Sequence, residues 1–274
     1  MNSSPLPGDI EQKLKEYLAG YFHKRLIPLV DKAVNTSKSF LDDEARREVD
    51  PEGKKQPFLE AVFPPEAILI KRLERPFSTK LGRTFEEAAR IIAAHYHPEA
   101  KTGCRVQGAV DAFAIARIDQ MLNLWRENSS KKPSFPEMSR QAAGVIDESK
   151  REISIQADLY VKHSSGVSYF FEIKSPKPNK DQCLASMEKM LRLQLIKKGE
   201  AAQTFYVMPF NPYGTRDAYS YTFAKTYLDF ENFVLLQEEF WDGIIGPPGT
   251  FQALVDIYRQ TGEAVRRRIK SLFS

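Results

Sequence analysis

The chain has 274 residues, with 40 Lys and Arg against 36 Asp and Glu for a formal net charge of +4, and 42% of its residues are hydrophobic. That is an ordinary globular composition with enough apolar residues for a sizeable core, and its length suits one large domain carrying a helical appendage. No window approaches the roughly 18 consecutive apolar residues of a membrane span, the start Met1-Asn2-Ser3-Ser4-Pro5 lacks the basic and apolar stretches of an export signal, and Cys104 and Cys183 are too few for a disulfide framework or a zinc site, so a cytoplasmic protein is expected.

Residues 9 to 34 carry Ile10, Leu14, Tyr17, Leu18, Tyr21, Phe22 and Leu26 at three- and four-residue steps, which predicts an amphipathic helix that Pro28 kinks or ends. Ser37 to Pro57 is polar, with Asp42, Asp43, Glu44, Glu48, Asp50 and Glu52 around Pro51 and Gly53, and reads as an exposed connection. Residues 66 to 75 are predicted helical, Pro76 interrupts, and a longer helix is expected from Thr84, burying Phe85, Ala88, Ala89 and Ile92. A third helix is expected over Val106 to Arg126, ending in the polar segment Glu127 to Pro136. The first half is therefore read as mostly helical.

From Arg151 the period changes to two. Ile153, Ile155, Ala157, Leu159 and Val161 alternate with Ser154, Gln156, Asp158, Tyr160 and Lys162, a half-buried strand. His163 to Gly166 is a turn signal, and Val167, Tyr169, Phe171 and Ile173 alternate with Ser168, Phe170, Glu172 and Lys174 in a second strand. A helix is expected at about Gln182 to Lys198, a third strand from Gln203 to Pro209, a long loop over 211 to 225, and a basic amphipathic helix from Gly249 to the end.

If the hairpin loop is Ser164, Ser165 and Gly166, then His163 pairs with Val167 and Asp158 lies directly across from Glu172. Opposed residues of an antiparallel pair share a face with Cβ atoms about 5 Å apart. Two carboxylates that close repel unless a cation sits between them. Carboxylates and a backbone carbonyl, here that of Ile173, are hard oxygen ligands that suit Mg²⁺. Lys174 then stands one pleat away, placed to hold an attacking water. An acid followed two residues later by Lys is common by chance; Glu11-Gln12-Lys13, Glu52-Gly53-Lys54 and Glu148-Ser149-Lys150 also match. None of those lies in an alternating strand with an acid on its predicted partner.

Asp158 and the block Glu172-Ile173-Lys174 resemble the PD-(D/E)xK nuclease superfamily, in which two acids on adjacent strands bind Mg²⁺ and a following Lys assists hydrolysis; Ala157 stands where the motif's name has Pro. Gly82-Arg83-Thr84-Phe85-Glu86 is similar to the Gly-x-x-Phe-Glu helix start of many restriction enzymes, which implies that Glu86 approaches the metal site. With Phe77-Ser78-Thr79-x-Leu81-Gly82, Glu172 to Asn179 and Phe210-Asn211-Pro212-Tyr213-Gly214, the chain resembles type II restriction endonucleases of the TdeIII kind. The resemblance implies an α/β fold, a restriction-endonuclease-like mixed β-sheet flanked by helices, over 1-274, with 1-60 as a helical N-terminal extension. It also implies Mg²⁺-dependent, sequence-specific cleavage of double-stranded DNA by a homodimer at a short palindrome such as GGNCC.

For DNA contacts, Lys177 and Lys180 follow the catalytic strand on a proline-stiffened loop and suit phosphate. Asn211, Tyr213 and Arg216 lie in the loop after the third strand, where Arg216 has the geometry to pair with guanine, and Arg140 and Gln141 precede the first strand. Two other functions fit the same residues: a structure-specific repair or recombination nuclease, and a non-catalytic DNA-binding protein in which the acidic pair is incidental.

Overall fold

The computed structural model describes residues 4–32, 62, 65–128, 134–144 and 149–271. The polar connection expected over 37 to 57 lies outside them. The chain divides into two compact units, Glu11–Thr84 with Leu254–Ser274, and Met1–Ile10 with Phe85–Ala253.

In the first of these units, helix α1 (Gly8–Tyr21) passes through a π turn, Phe22–Leu26, into helical residues 27–32. Leu14, Leu18, Phe22, Leu26 and Val30 are all buried at four-residue spacing, the stripe expected from the sequence. Pro28 does not end this helix; the wider turn precedes it, in the stretch where its missing N–H interrupts the ladder. Helix α2 (Pro65–Tyr96) likewise runs through Pro76, so Thr84 is no helix start. Instead the Thr84 hydroxyl donates to the Leu81 carbonyl at 2.6 Å and shares a hydrogen bond with the Tyr258 hydroxyl. The expected C-terminal helix is two, α7 (Thr250–Thr261) and α8 (Glu263–Lys270). They break at Gly262, where a Cβ would stand 2.8 Å from the Tyr258 carbonyl oxygen.

The other unit is built on a five-stranded mixed sheet in the order β1-β2-β3-β4-β5. The strands are β1 (Glu99–Asp111), β2 (Lys150–Lys162), β3 (Ser168–Ile173), β4 (Ala202–Met208) and β5 (Val234–Leu236). The first three are antiparallel neighbours, while β3, β4 and β5 run parallel. A parallel pair needs a crossover, and helix α5 (Lys180–Ile196) supplies it between β3 and β4. Helices α3 (Ala112–Glu127), α4 (Phe135–Ala143) and α6 (Thr222–Tyr227) pack with α5. Cys183, Met187, Met190 and Leu191 of α5 share a core with Trp125, Met138, Tyr206, Tyr219 and Phe233. This is the α/β architecture of helices flanking a mixed sheet that the sequence implies.

The helix expected over Val106 to Arg126 is half strand: β1 occupies the segment to Asp111 and α3 begins at Ala112. Gly103 and Gly108 are poor helix residues, and β1 pairs with β2 along nearly its whole length. A Cβ on Gly108 would meet Ile196 Cγ2 at 2.8 Å, so the strand lies against α5 at a distance that admits only glycine. The loop over 211 to 225 also contains the start of α6, and β5 is a strand the sequence did not signal. Strand β3 is enclosed on both faces: Phe170, Phe171, Glu172 and Ile173 are all buried.

Phe171 is fully buried at the centre of β3. Phe171→Ala is expected to lower the unfolding free energy by about 3–5 kcal/mol, read from the shift of the urea midpoint; a loss under about 1 kcal/mol would contradict this packing.

Candidate active site

The β2–β3 ladder runs from Lys162↔Ser168 to Leu159↔Phe171, a register whose next step puts Asp158 opposite Glu172. His163 donates its backbone N–H to the Val167 carbonyl at 2.8 Å, closing the expected hairpin, and Gly166 takes the left-handed φ of +88° that its turn requires. Past Phe171 the backbone ladder gives way to a side chain: Asp158 Oδ2 accepts the N–H of Ile173 at 2.9 Å. On β1, the register between Thr102↔Leu159 and Cys104↔Ala157 leaves Gly103 facing Asp158. That strand therefore presents no side chain opposite the acid.

The two carboxylates share cations. Lys174 Nζ lies 2.9 Å from Asp158 Oδ2 and 2.9 Å from Glu172 Oε1. Two oxygens that one ammonium touches can be no farther apart than those two contacts laid end to end, so the acids converge as their register requires. Glu172 is only 5% exposed, a depth at which a carboxylate needs a partner. Burial pulls the Lys174 ammonium down, but the Glu172 and Asp158 carboxylates outweigh it and hold its pKa above the usual lysine value.

The loop after β3 is fixed at both ends. Lys174 donates its backbone N–H to the Val207 carbonyl of β4 at 3.0 Å. Asn179 caps α5 in a reciprocal box with Gln182. Between them Pro176 and Pro178 are buried, and the Pro176 carbonyl accepts the Tyr219 hydroxyl. Burial raises the Tyr219 phenol above its ordinary range, so it remains a donor at neutral pH. Lys177 projects from this loop, exposed, with its ammonium 5.7 Å from the centre of the Tyr213 ring.

A second ammonium enters from α5. Lys189 Nζ pairs with Glu172 Oε2 and lies 3.7 Å from Asp158 Oδ1. Ser186 and Leu193, one turn to either side on the same helix face, are buried, which aims Lys189 at the sheet. The sequence carries little signal for it: its same-face neighbours, Ala185, Ser186, Arg192 and Leu193, are mixed in character, so it reads as an ordinary surface lysine. Sequence reasoning passed over it because it lies outside the Glu-x-Lys motif. Tyr206, Glu172's register partner on β4, is also fully buried, and among the described residues its hydroxyl has no hydrogen-bond partner.

The donor set suits a hard divalent cation: two carboxylates converge on one point, and a main-chain carbonyl, that of Ile173, belongs to the residue between Glu172 and Lys174. Among the described residues no three His, Cys, Asp or Glu side chains form a metal-holding group. Glu86 is in no such group. It lies inside α2, with no helix N-terminus near it to attract an acid. Its neighbour Glu87 pairs with Arg90.

The other predicted contacts separate into groups. Lys177 and Tyr213 stand together at the loop after β3. Lys180 donates to the Arg126 carbonyl at the end of α3 at 2.9 Å and lies over the Tyr227 ring, bracing the helix layer. Asn211 is buried and organises its own loop: its side chain donates to the Thr215 carbonyl and accepts the Tyr213 N–H. Arg216 points inward, against the expectation that it reads guanine. It donates twice to Glu239, to the Phe230 carbonyl at 2.8 Å and to the Val234 carbonyl at 2.6 Å. Arg140 and Gln141 lie on α4, within a helix; Arg140 is exposed, and Gln141 is bonded to Arg117 and Glu137.

A family model described as type II restriction endonuclease, HinfI, matches residues 6–262. Among curated proteins, the type II restriction enzyme HgiCII of Herpetosiphon aurantiacus is 37% identical over 256 residues, covering 91% of this chain and 92% of that protein. HgiEI and HgiBI of the same organism are each 36% identical over 258 residues, covering 92% of this chain and 93% of theirs. No solved structure gives a significant match.

The Arg216–Glu239 brace carries its own test. Arg216→Ala is expected to destabilise the protein by about 1–2 kcal/mol, allowing for partial exposure, while folded protein keeps its DNA affinity. Burial works to raise the Glu239 carboxyl, but the Arg216 hydrogen bonds win and hold it below its ordinary value. A depressed acid stabilises the fold above its unfolded pKa of about 4.3 and loses that stabilisation as pH falls through the folded pKa. The gap between wild type and Arg216→Ala in thermal unfolding should therefore close below about pH 4. A gap that widens in acid, or lost DNA binding without lost stability, would contradict the brace.

Proposed function

Since the chain belongs to the HinfI family of type II restriction endonucleases and is a site-specific deoxyribonuclease, we propose that Asp158, Glu172 and Lys174 form its phosphodiester-cleaving centre. The observation that carries this reading is the convergence of both acids on the Lys174 ammonium at 2.9 Å each. Family membership favours this enzyme over the repair nuclease or non-catalytic binder that the residues alone also fit.

Asp158, Glu172 and the Ile173 carbonyl would hold Mg²⁺, which would supply Lewis-acid stabilisation of charge growing on the phosphoryl group. Lys174 donates from its ammonium to the attacking water and orients a water lone pair toward phosphorus, opposite the leaving oxygen. The water oxygen bonds to phosphorus as the bond to the 3′ oxygen breaks; the attacking water releases a proton to solvent and the departing 3′ oxygen takes one from solvent, leaving a 5′-phosphate and a 3′-hydroxyl. The buried Glu172 and the side-chain anchor from Asp158 to the Ile173 N–H keep the acids in place through this step. Lys177, exposed beside Tyr213, contacts a backbone phosphate.

The substrate we propose is a short palindrome of the GGNCC type, met by a homodimer in the cytoplasm. A twofold-symmetric site presents one scissile bond per strand, and a twofold dimer presents one centre to each. Each copy would act as a single restriction-endonuclease-like domain over 1–274, with 1–60 as its extension.

Plasmid digested with Mg²⁺ should give discrete fragments, and EDTA should abolish them; a smear, or cleavage confined to junctions, would contradict sequence recognition. Asp158→Ala, Glu172→Ala and Lys174→Ala should each lower the single-turnover cleavage rate by about 10³-fold or more, with duplex affinity held within about tenfold. A fully active Glu172→Ala enzyme would end the assignment. Lys177→Ala should weaken binding and reduce the slope of log K against log salt by about 0.9, measured by fluorescence anisotropy.

A further inference from the structure

The Glu-x-Lys motif accounts for one ammonium at the acidic pair, yet the site holds two. Each lysine takes one oxygen from each carboxylate: Lys174 contacts Asp158 Oδ2 and Glu172 Oε1, and Lys189 contacts Asp158 Oδ1 and Glu172 Oε2. All four carboxylate oxygens are engaged, and the cluster of two acids and two ammonium groups is formally neutral. A divalent ion approaching it meets no net attraction and must displace one lysine.

We propose that Lys189 is the internal counter-cation of this pair, a positioning residue that holds Asp158 and Glu172 together without metal and competes with the divalent ion for them. The inference rests on the reading of the pair as the metal site. Lys189 is the lysine that yields. Of its two contacts, the one with Glu172 is the closest of the four and the one with Asp158, at 3.7 Å, the longest, so its hold on Asp158 is the weak point, and it reaches the pair from another element. Its side chain is about one-quarter exposed, less than the 40% of Lys174 but enough to give the displaced ammonium a route to solvent, where an arriving DNA phosphate can receive it. Lys174 follows β3 directly, with its backbone held to Val207, and the proposed reaction needs its ammonium at the attacking water, so it is the lysine that stays beside the acids. Lys189 thus sets how readily the free enzyme takes up metal, and it ties metal uptake to the arrival of substrate.

The test is Mn²⁺ binding without DNA, followed through the electron paramagnetic resonance signal of the free ion, on wild type, Lys189→Met, Lys189→Gln, Lys189→Arg and Asp158→Asn. Lys189→Met and Lys189→Gln should bind Mn²⁺ at least about tenfold more tightly than wild type. Lys189→Arg, which keeps the charge, should stay within about threefold of wild type, and Asp158→Asn should lose the site. A purely structural lysine would lower the melting temperature of the variants and leave Mn²⁺ affinity unchanged or weaker, which overturns the proposal for Lys189 alone. Binding that survives Asp158→Asn, or no binding by any variant, overturns the metal-site reading with it. Should the uncharged variants not fold, wild type labelled with ¹³C and ¹⁵N on lysine decides. The Lys189 Nζ resonance, assigned by its loss in Lys189→Arg, should shift as Mg²⁺ is added, and a resonance that stays fixed while Mg²⁺ binds refutes the displacement.

Discussion

Mutual repulsion between two carboxylates is the constraint around which this site is built. Asp158 and Glu172 occupy register positions on adjacent antiparallel strands, and Glu172 lies almost wholly out of water, where an unpaired charge is costly. The fold brings cations to them from two directions, Lys174 from the end of β3 and Lys189 from the crossover helix. Two ammonium groups thus balance the two carboxylates in the free protein.

The architecture explains why these groups meet. Because β3 and β4 run parallel, the chain must cross back over the sheet, and the crossover brings α5 past the edge where β3 ends. The capping box at Asn179 fixes where α5 begins, and the buried prolines fix the path between Lys174 and that cap. Glycine works on the other flank: Gly108 lets β1 lie against α5, and Gly103 keeps β1 from placing a side chain opposite Asp158. The paired acids, a lysine just past the end of β3 and a lysine from the helix are thus consequences of one β-α-β crossover beside a hairpin.

Much of this was legible in the sequence. The period-two alternation around Asp158 and Glu172, with Gly166 in the turn, fixed the hairpin register to the residue, because strand pairing across a short turn is local. The N-terminal helical stripe was equally plain. What escaped detection depends on contacts far apart in the chain. Strand β1 exists because β2 is beside it, and the continuation of α2 through Pro76 overrides a local rule. Lys189 and Arg216 illustrate the same divide among functional residues. A lysine on a mixed helix face, and an arginine in a polar loop, look alike on the page as surface groups; only the fold reveals that one faces two acids and the other braces Glu239.

The most direct measurement is anomalous X-ray diffraction from crystals of the protein soaked in Mn²⁺. The account predicts a manganese peak between the side chains of Asp158 and Glu172, within coordination distance of an oxygen from each and of the Ile173 carbonyl. A well-ordered peak elsewhere, with the two acids still paired only to their lysines, would contradict it.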